Sequence, residues 1–553
     1  MAFPNKYPGT CSTCATRVAA GDGMTDKVRG AWLVYCGAHA PAKAAPAAPV
    51  IADKFAPLAP GVVPFDHQRD GVEWLKRRGR KGGILADDMG LGKTMQTLTA
   101  IPVDADGVRY PVVVLCPAIA KTVWQREAAR FAPDLKVTPL AGRGSFRWPG
   151  KGEAVVTNFD ILPDVVEGEN GFPALPPDLL AALPDNVVLV IDEAHKIKSW
   201  SSKRTKAARA IAFACRKQGG RVFLLTGTPL TNDPRETYSL LVAAGLQFET
   251  FRGEFDRAMN LAGGHRGRYG WEFSAGEIKP GFAESLKTVM LRRRKDEVLS
   301  LPPKRHETHT VHIDRCKEAD ALVVALRAKG INLANATTTL AAIGSVGFEQ
   351  MSRAREALAR AKTSTAIDLA QSWIEDGEQV IVFSAHLAPV QACATLTGVA
   401  VITGDTPNDE RARIEADFQA GKIRCIAATI KAAGVALTLT AASRVLFVDK
   451  AWTPADNEQA EDRAYRIGQT KSVLITTLEA DHELDSRINV LLAHKQSMID
   501  GVVEAARVQE GQHVALPADY EHVALPVVDE AERVALPLAP PALPDFSDLP
   551  FAL

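Results

Sequence analysis

The sequence predicts an α/β fold, with two parallel-sheet lobes in tandem joined by helical segments. Three observations carry that prediction. From about residue 62, short apolar runs (PVVVLCP, AVVTNF, NVVLVIDE, RVFLLTGT) alternate with helix-like stretches. Continuous apolar runs of that length, set between helices, mark strands buried on both faces. A second series begins at QVIVFSAH and continues through VAVITGD, IRCIAAT and SRVLFVDK. Between the two series, ADALVVALRAKG and REALARAKTSTAIDLAQSWIEDG have helical spacing.

A chain of 553 residues suggests about three folded units at ~100–200 residues each. The expected division is a Cys/His module over 1–40, a Pro/Ala linker over 41–60, a first lobe over 61–313, a helical connection over 314–376, a second lobe over 377–508, and a tail over 509–553. The tail repeats VALP at 514–517, 523–526 and 534–537 and has neither helical nor strand periodicity, so it is expected to be disordered. Formal net charge is zero, but residues 501–553 hold nine Asp/Glu against Arg507 and Arg533. The first 500 residues are therefore seven positive, which leaves room for a basic groove.

Met1–Thr10 lacks a charged start followed by an apolar run, so no secretory leader is expected. The most apolar window, Cys425–Ser443, contains Lys431 and several Thr, and a membrane span needs ~20 apolar residues. A cytoplasmic, membrane-free, monomeric protein is the expectation. Five of the eight cysteines (Cys116, Cys215, Cys316, Cys393, Cys425) are scattered and read as small buried hydrophobes.

GGILADDMGLGKTMQT reads as a strand, a Gly-rich loop and a helix start. Gly90, Leu91 and Gly92 offer backbone N–H groups to phosphate oxygens, reinforced by the helix N-terminus. Lys93 is placed to reach the β- and γ-phosphates of ATP and Thr94 to bind Mg²⁺. Asp87 occupies the position of the usual first Gly of a phosphate loop. About a hundred residues later, VVLVIDEAHKIKS ends an apolar strand in Asp192 and Glu193. Ligands of open α/β sheets bind at such strand ends. Asp192 suits Mg²⁺, and Glu193 suits orienting and deprotonating the attacking water.

With these motifs in place, the chain resembles a Swi/Snf-type ATPase of helicase superfamily two, from about residue 64 to about residue 478. The resemblance implies two RecA-like lobes. PFDHQRDGVEWL resembles the entry motif, in which Gln68 would read the adenine edge. DDMGLGKT resembles the phosphate loop, with Asp88 for the usual Glu and with Asp87 common in the family. In LLTGTPLTN, Thr226 and Thr228 would link hydrolysis to lobe movement. LRRRKDEVLSLPPK (Leu291–Lys304) resembles a stretch peculiar to the family. QAEDRAYRIGQT (Gln459–Thr470) resembles the arginine-finger motif. Arg463 and Arg466, three apart and expected on one helix face, would stabilise transition-state charge from across the cleft. Gln459 joins the nucleotide site. Tyr465 replaces the usual His. Gly434 lies in TIKAAGVALTLTAAS, the adjoining motif, where Ala436 stands for a usual Gly. IKAAG and QAEDR look most like the annealing, fork-remodelling branch.

Members of such a family hold duplex DNA by its backbone, and phosphate contacts bind without reading sequence. Candidate contacts are Ala118–Lys121, Thr157–Phe159, Ser384–His386, Thr429–Lys431, Lys196 and Lys198.

Cys11, Cys14, Cys36 and His39 give C-x2-C-x21-C-x2-H. Three thiolates and an imidazole suit a closed structural Zn²⁺ site that would supply folding energy to so small a region. The alternative is a reduced, loosely folded arm. The terminal LPDFSDLPFAL loosely resembles peptides that dock on sliding clamps, though a plain linker is the simpler reading. The functional expectation is an ATP-dependent translocase on double-stranded or forked DNA. The alternatives are a strand-separating DNA or RNA helicase, or a DNA-bound scaffold with weakened ATPase.

Overall fold

A computed structural model describes residues 3–4, 8–12, 14, 16–19, 22–28 and 31–36 of the N-terminal part. Beyond these it describes 54–168, 173–229, 235–245, 264–267, 270–273, 286–287, 289–330, 348–433 and 437–505. The chain divides into two units, Met1–Asp53 and Lys54–Leu553. The smaller holds an antiparallel hairpin of Gly23–Val28 with Ala31–Cys36, extended by Phe3–Pro4, and a short pair of Gly9–Thr10 with Arg17–Val18. The expected tail at 509–553 lies outside the described residues.

The larger unit contains two parallel sheets, as the apolar runs predict. The first comprises β1 (Gly83–Leu85), β2 (Val112–Cys116), β3 (Lys136–Pro139), β4 (Glu153–Asn158), β5 (Val188–Asp192), β6 (Arg221–Leu225) and β7 (Met290–Leu291), in the order β3-β4-β2-β5-β6-β1-β7. Its strands bury alternate residues on opposite faces. Val113, Leu115, Leu189, Ile191 and Leu224 meet Ala208, Ile211 and Cys215 of the helix Lys203–Lys217. Val112, Val114, Val188, Val190 and Phe223 meet α1 (Asp66–Arg78), α2 (Lys93–Thr99) and α3 (Ala120–Phe131) through Leu75, Leu98 and Trp124. Two-sided burial explains why these strands read as unbroken apolar runs rather than alternating ones.

The second sheet comprises β8 (Lys304–Val311), β9 (Val380–Ser384), β10 (Val399–Ile402), β11 (Cys425–Thr429), β12 (Arg444–Phe447) and β13 (Val473–Ala480), ordered β8-β13-β12-β9-β11-β10. β8 falls within the span that the sequence division assigns to the first lobe. It pairs in parallel with β13 along its full length, from Lys304 opposite Val473 to Val311 opposite Ala480. The helices Lys317–Ala328 and Phe348–Ala361 share one apolar cluster with Ala480 and with Leu484, Ile488 and Leu491 of the helix Glu483–Ala505. They therefore pack as part of the second lobe's body. Among the described residues, no helix is long and apolar enough to cross a membrane.

Candidate nucleotide site between the two lobes

The first half of the site grows from the C-terminal ends of β1 and β5. After β1 the chain turns through a loop in which Gly90 and Gly92 hold φ of 85° and 84°, a left-handed geometry that costs glycine little. Gly92 also leaves no room for a side chain, because a Cβ there would lie 2.4 Å from Gln68 Nε2. Gln68 donates from Nε2 to Leu91 O (3.3 Å) and accepts from Phe65 N (3.1 Å), so it is docked on the loop backbone. Lys93 opens α2 and folds back over the loop, donating to Asp87 O (2.7 Å) and Asp88 O (3.1 Å). Burial pulls its pKa down, opposed by Glu193, Asp87, Asp192 and Asp88.

Asp192 ends β5. Its Oδ2 accepts from the buried Trp124 indole (2.8 Å) and its Oδ1 from the Glu193 amide (2.9 Å). Burial first, then the neighbouring Glu193, push its carboxyl up to about 6. Glu193 is one of two non-glycine residues with positive φ among the described residues, at φ 50° and ψ 51°. A non-glycine residue there carries strain. His195 Nδ1 lies 3.4 Å from Glu193 Oε2 and 3.5 Å from both Thr226 Oγ1 and Thr228 Oγ1. The threonines after β6 thus reach Glu193 through one imidazole.

The second half comes from the other lobe. The helix α4 (Pro454–Glu461) carries Gln459, whose Nε2 reaches Glu193 Oε1 at 3.3 Å. The arginines do not lie on one helix face as the spacing predicts, because α4 stops at Glu461 and both sit in the turns that follow. The Arg463 carbonyl accepts from the Leu439 amide at 2.8 Å, and Arg463 N bonds to Ala460 O in a tightened i−3 pattern. Arg463 donates from Nε to Gln459 O (3.2 Å), and Arg466 donates to Thr438 Oγ1 (3.1 Å). Arg466 packs on the phosphate loop, since a Cβ on Gly90 would lie 3.2 Å from Arg466 Cβ. Burial, then Arg466, pull the Arg463 guanidinium down to about 10, while Glu193 opposes the shift. The structure therefore brings together Gln68, Asp88, Gly90, Leu91, Gly92, Lys93, Thr94, Asp192, Glu193, Gln459, Arg463 and Arg466. Gly434 and Ala436 lie outside the described residues.

Three groups not singled out by sequence reasoning belong to this site: Trp124, His195, and the pair Arg292 and Arg293. Arg293 Nη2 meets Asp87 Oδ2 at 2.5 Å and Arg292 meets Asp88 Oδ1 at 3.0 Å. His195 was findable as the last residue of DEAH. The spacing of Ala120, Trp124 and Ala128 marks a buried helix face, but nothing in it shows that the indole reaches Asp192.

Several candidate DNA contacts are engaged elsewhere. Thr157 and Phe159 are buried, Lys121 donates to Leu140 O (2.6 Å), and Ser384 and His386 both bond to Asp449 (2.5 and 2.8 Å). Lys196 and Lys431 are exposed.

In the N-terminal unit, the sulfurs of Cys11, Cys14 and Cys36 all lie within 4.8 Å of one another, with Cys14 and Cys36 at 3.7 Å. Thiolates around a tetrahedral zinc at ~2.3 Å are spaced ~3.8 Å apart, so the three thiols fit such an ion. A hydrogen bond with Thr16 holds the Cys14 thiol below its usual range. His39 lies outside the described residues.

A family model for the SNF2-related domain matches residues 67–353, and one for the helicase conserved C-terminal domain matches 361–468. The chain belongs to the SNF2-related family. It is an SNF2-type ATPase, an ATP hydrolase of the helicase class. Among similar SNF2 proteins, the SWI/SNF-related matrix-associated actin-dependent regulator of chromatin subfamily A-like protein 1 of Xenopus tropicalis is 30% identical, over 79% of this chain and 44% of its own length. The DNA annealing helicase and endonuclease ZRANB3 of Mus musculus is 30% identical, over 78% of this chain and 40% of its own. The chain thus spans less than half the length of these curated relatives. The solved Sulfolobus solfataricus SWI2/SNF2 ATPase core in complex with dsDNA aligns over 80% of this chain and 93% of its own, at 22% identity and a TM-score of 0.36.

Proposed function

We propose that this SNF2-family ATPase is an ATP-driven translocase on double-stranded DNA that remodels forks, recombination intermediates or DNA-bound proteins. One observation carries the reading: Lys93, Asp192 and Glu193 of one lobe face Gln459, Arg463 and Arg466 of the other, with Gln459 at hydrogen-bond distance from Glu193. Such a site turns over only when the lobes are together, and a cycle of closure and release moves one lobe against the other. The names of relatives such as the annealing helicase support DNA as the track.

In this reading Lys93 leaves the loop carbonyls for the β- and γ-phosphates of ATP. Glu193 accepts the proton of the attacking water, and His195 transmits its state to Thr226 and Thr228. Arg463 and Arg466 stabilise the charge that develops on the transferred phosphoryl group. Mg²⁺, held by Thr94 and Asp192, would neutralise phosphate charge when bound. Zn²⁺ on Cys11, Cys14, Cys36 and His39 would hold the N-terminal unit together.

The test is displacement of a triplex-forming strand from a long duplex. Translocation predicts ATP-dependent displacement by the wild type and none by Glu193→Gln. Separation of tailed duplexes without triplex displacement would favour the strand-separating helicase. Metal analysis of the full chain is expected to give one zinc per molecule, lost in Cys14→Ser. No zinc in the folded wild type would remove that assignment.

A further inference from the structure

The Leu291–Lys304 stretch brings Arg292 and Arg293 to the site, yet the reaction above gives the stretch no step of its own. Its position gives it a role. After β7 the segment continues alongside the phosphate loop as a backbone ladder, with Ala86 N donating to Leu291 O (2.7 Å) and Asp88 N to Arg293 O (3.0 Å). Two arginines fix the loop's acidic pair. Arg293 meets Asp87 and also Gln96 Oε1 (2.9 Å). Arg292 meets Asp88 and also Gly227 O (2.9 Å), at the start of the segment holding Thr228.

Lys295 then faces both ways. Its backbone N–H donates to Asp88 Oδ2 (3.0 Å) in the phosphate loop. Its ammonium meets Asp462 Oδ1 (2.5 Å) and Tyr465 O (3.0 Å) in the second lobe. Those two residues immediately precede Arg463 and Arg466 in sequence. Both side chains of the Lys295–Asp462 pair are less than a tenth exposed, at 7% and 6%. A buried charge pair is costly unless both partners stay together, and here the partners belong to lobes that must separate in any opening cycle.

We infer that Lys295 is a positioning residue that latches the arginine turn of the second lobe to the phosphate loop of the first. Through it, the placement of Arg463 and Arg466 follows the state of Asp88. Lys295 touches no reacting atom in this assignment, which rests on the ATPase reading above.

The experiment uses the full chain and four variants: Lys295→Met, Lys295→Arg, Asp462→Asn and the Lys295→Met/Asp462→Asn double. Turnover and KM for ATP are measured with saturating duplex, and affinity is measured with a fluorescent ATP analogue. A latch predicts that Lys295→Met lowers kcat tenfold or more while nucleotide affinity changes less than threefold. Lys295→Arg is expected to recover part of the rate. The double variant should be no slower than the slower single, because groups acting as a unit are non-additive. A folded Lys295→Met with kcat within twofold of wild type would overturn the assignment, as would single effects that multiply.

Small-angle scattering without nucleotide gives a second reading that does not depend on hydrolysis. Lys295→Met and Asp462→Asn should both broaden the distance distribution relative to wild type, and identical curves would overturn the latch. If the wild type hydrolyses ATP under no condition, the functional reading fails, while the scattering still decides the latch.

Discussion

The two lobes contribute unlike halves to one site, and the contrast lies in how each half is anchored. In the first lobe, Lys93 opens the helix after the phosphate loop, and Asp192 and Glu193 stand at the end of a central parallel strand. Their neighbours Asp87 and Asp88 are pinned by Arg293 and Arg292. In the second lobe, Arg463 and Arg466 lie beyond the end of a helix, donating to the Gln459 carbonyl and the Thr438 hydroxyl of their own lobe. The first half is a fixed cradle and the second a pair of cations held ready. Fixed groups suit binding, whereas groups that arrive with lobe closure suit making hydrolysis conditional.

That division ranks the expected effects of mutation. Arg466→Ala should lower duplex-stimulated turnover by ~10³-fold or more, in the range of lost arginine fingers, while ATP binding changes little. A comparable loss of binding would instead make the second lobe part of the cradle. Glu193→Gln should cost about 10²–10⁴-fold in turnover, with ATP still bound. Trp124→Phe removes the indole donor from Asp192 and leaves the ring volume largely in place. Loss of such an orienting partner costs roughly 10–100-fold in metal affinity or activity. The effect should appear mainly as a higher Mg²⁺ requirement, and an unchanged Mg²⁺ titration would remove Trp124 from the site.

The smallest effect is on stability. Burial, then Asp462 and Asp88, push the Glu458 carboxyl up to about 7 from its ordinary 4.5. Between those values the folded chain binds more protons than the unfolded one, so stability from this group falls as pH rises from about 4.5 to 7. Above pH 7 the ionised group is a fixed penalty, on the order of 3 kcal/mol from the shift at ~1.4 kcal/mol per unit. Glu458→Gln should therefore be more stable than wild type at pH 8, with the gap closing toward pH 5. Parallel melting curves across that range would refute the assignment.

What the sequence made legible follows the same contrast. The central strands and the strand-end motifs were readable because burial on both faces forces unbroken apolar runs, and phosphate chemistry needs Gly, Lys and carboxylates at set spacings. β8 was not readable: six of its eight residues are exposed, and among the described residues it pairs with one strand, β13. The Leu291–Lys304 stretch stood out only by resemblance, and its contacts were not readable, since the partners Asp87, Asp88 and Asp462 come near only in the fold. The helical placement of the arginines failed locally: the chain tightens to i−3 bonds at Arg463 and Ala464, and the Arg463 carbonyl then accepts from Leu439 instead of from a further helical turn.

The most direct test is the rate of ATP hydrolysis without nucleic acid and with single-stranded DNA, duplex DNA, forked DNA and duplex RNA, measured for wild type and Glu193→Gln. A duplex motor with a site divided between two lobes predicts strong stimulation by duplex or forked DNA, absent in the variant. Stimulation mainly by single strands or RNA, or by none of these in folded protein, would contradict it.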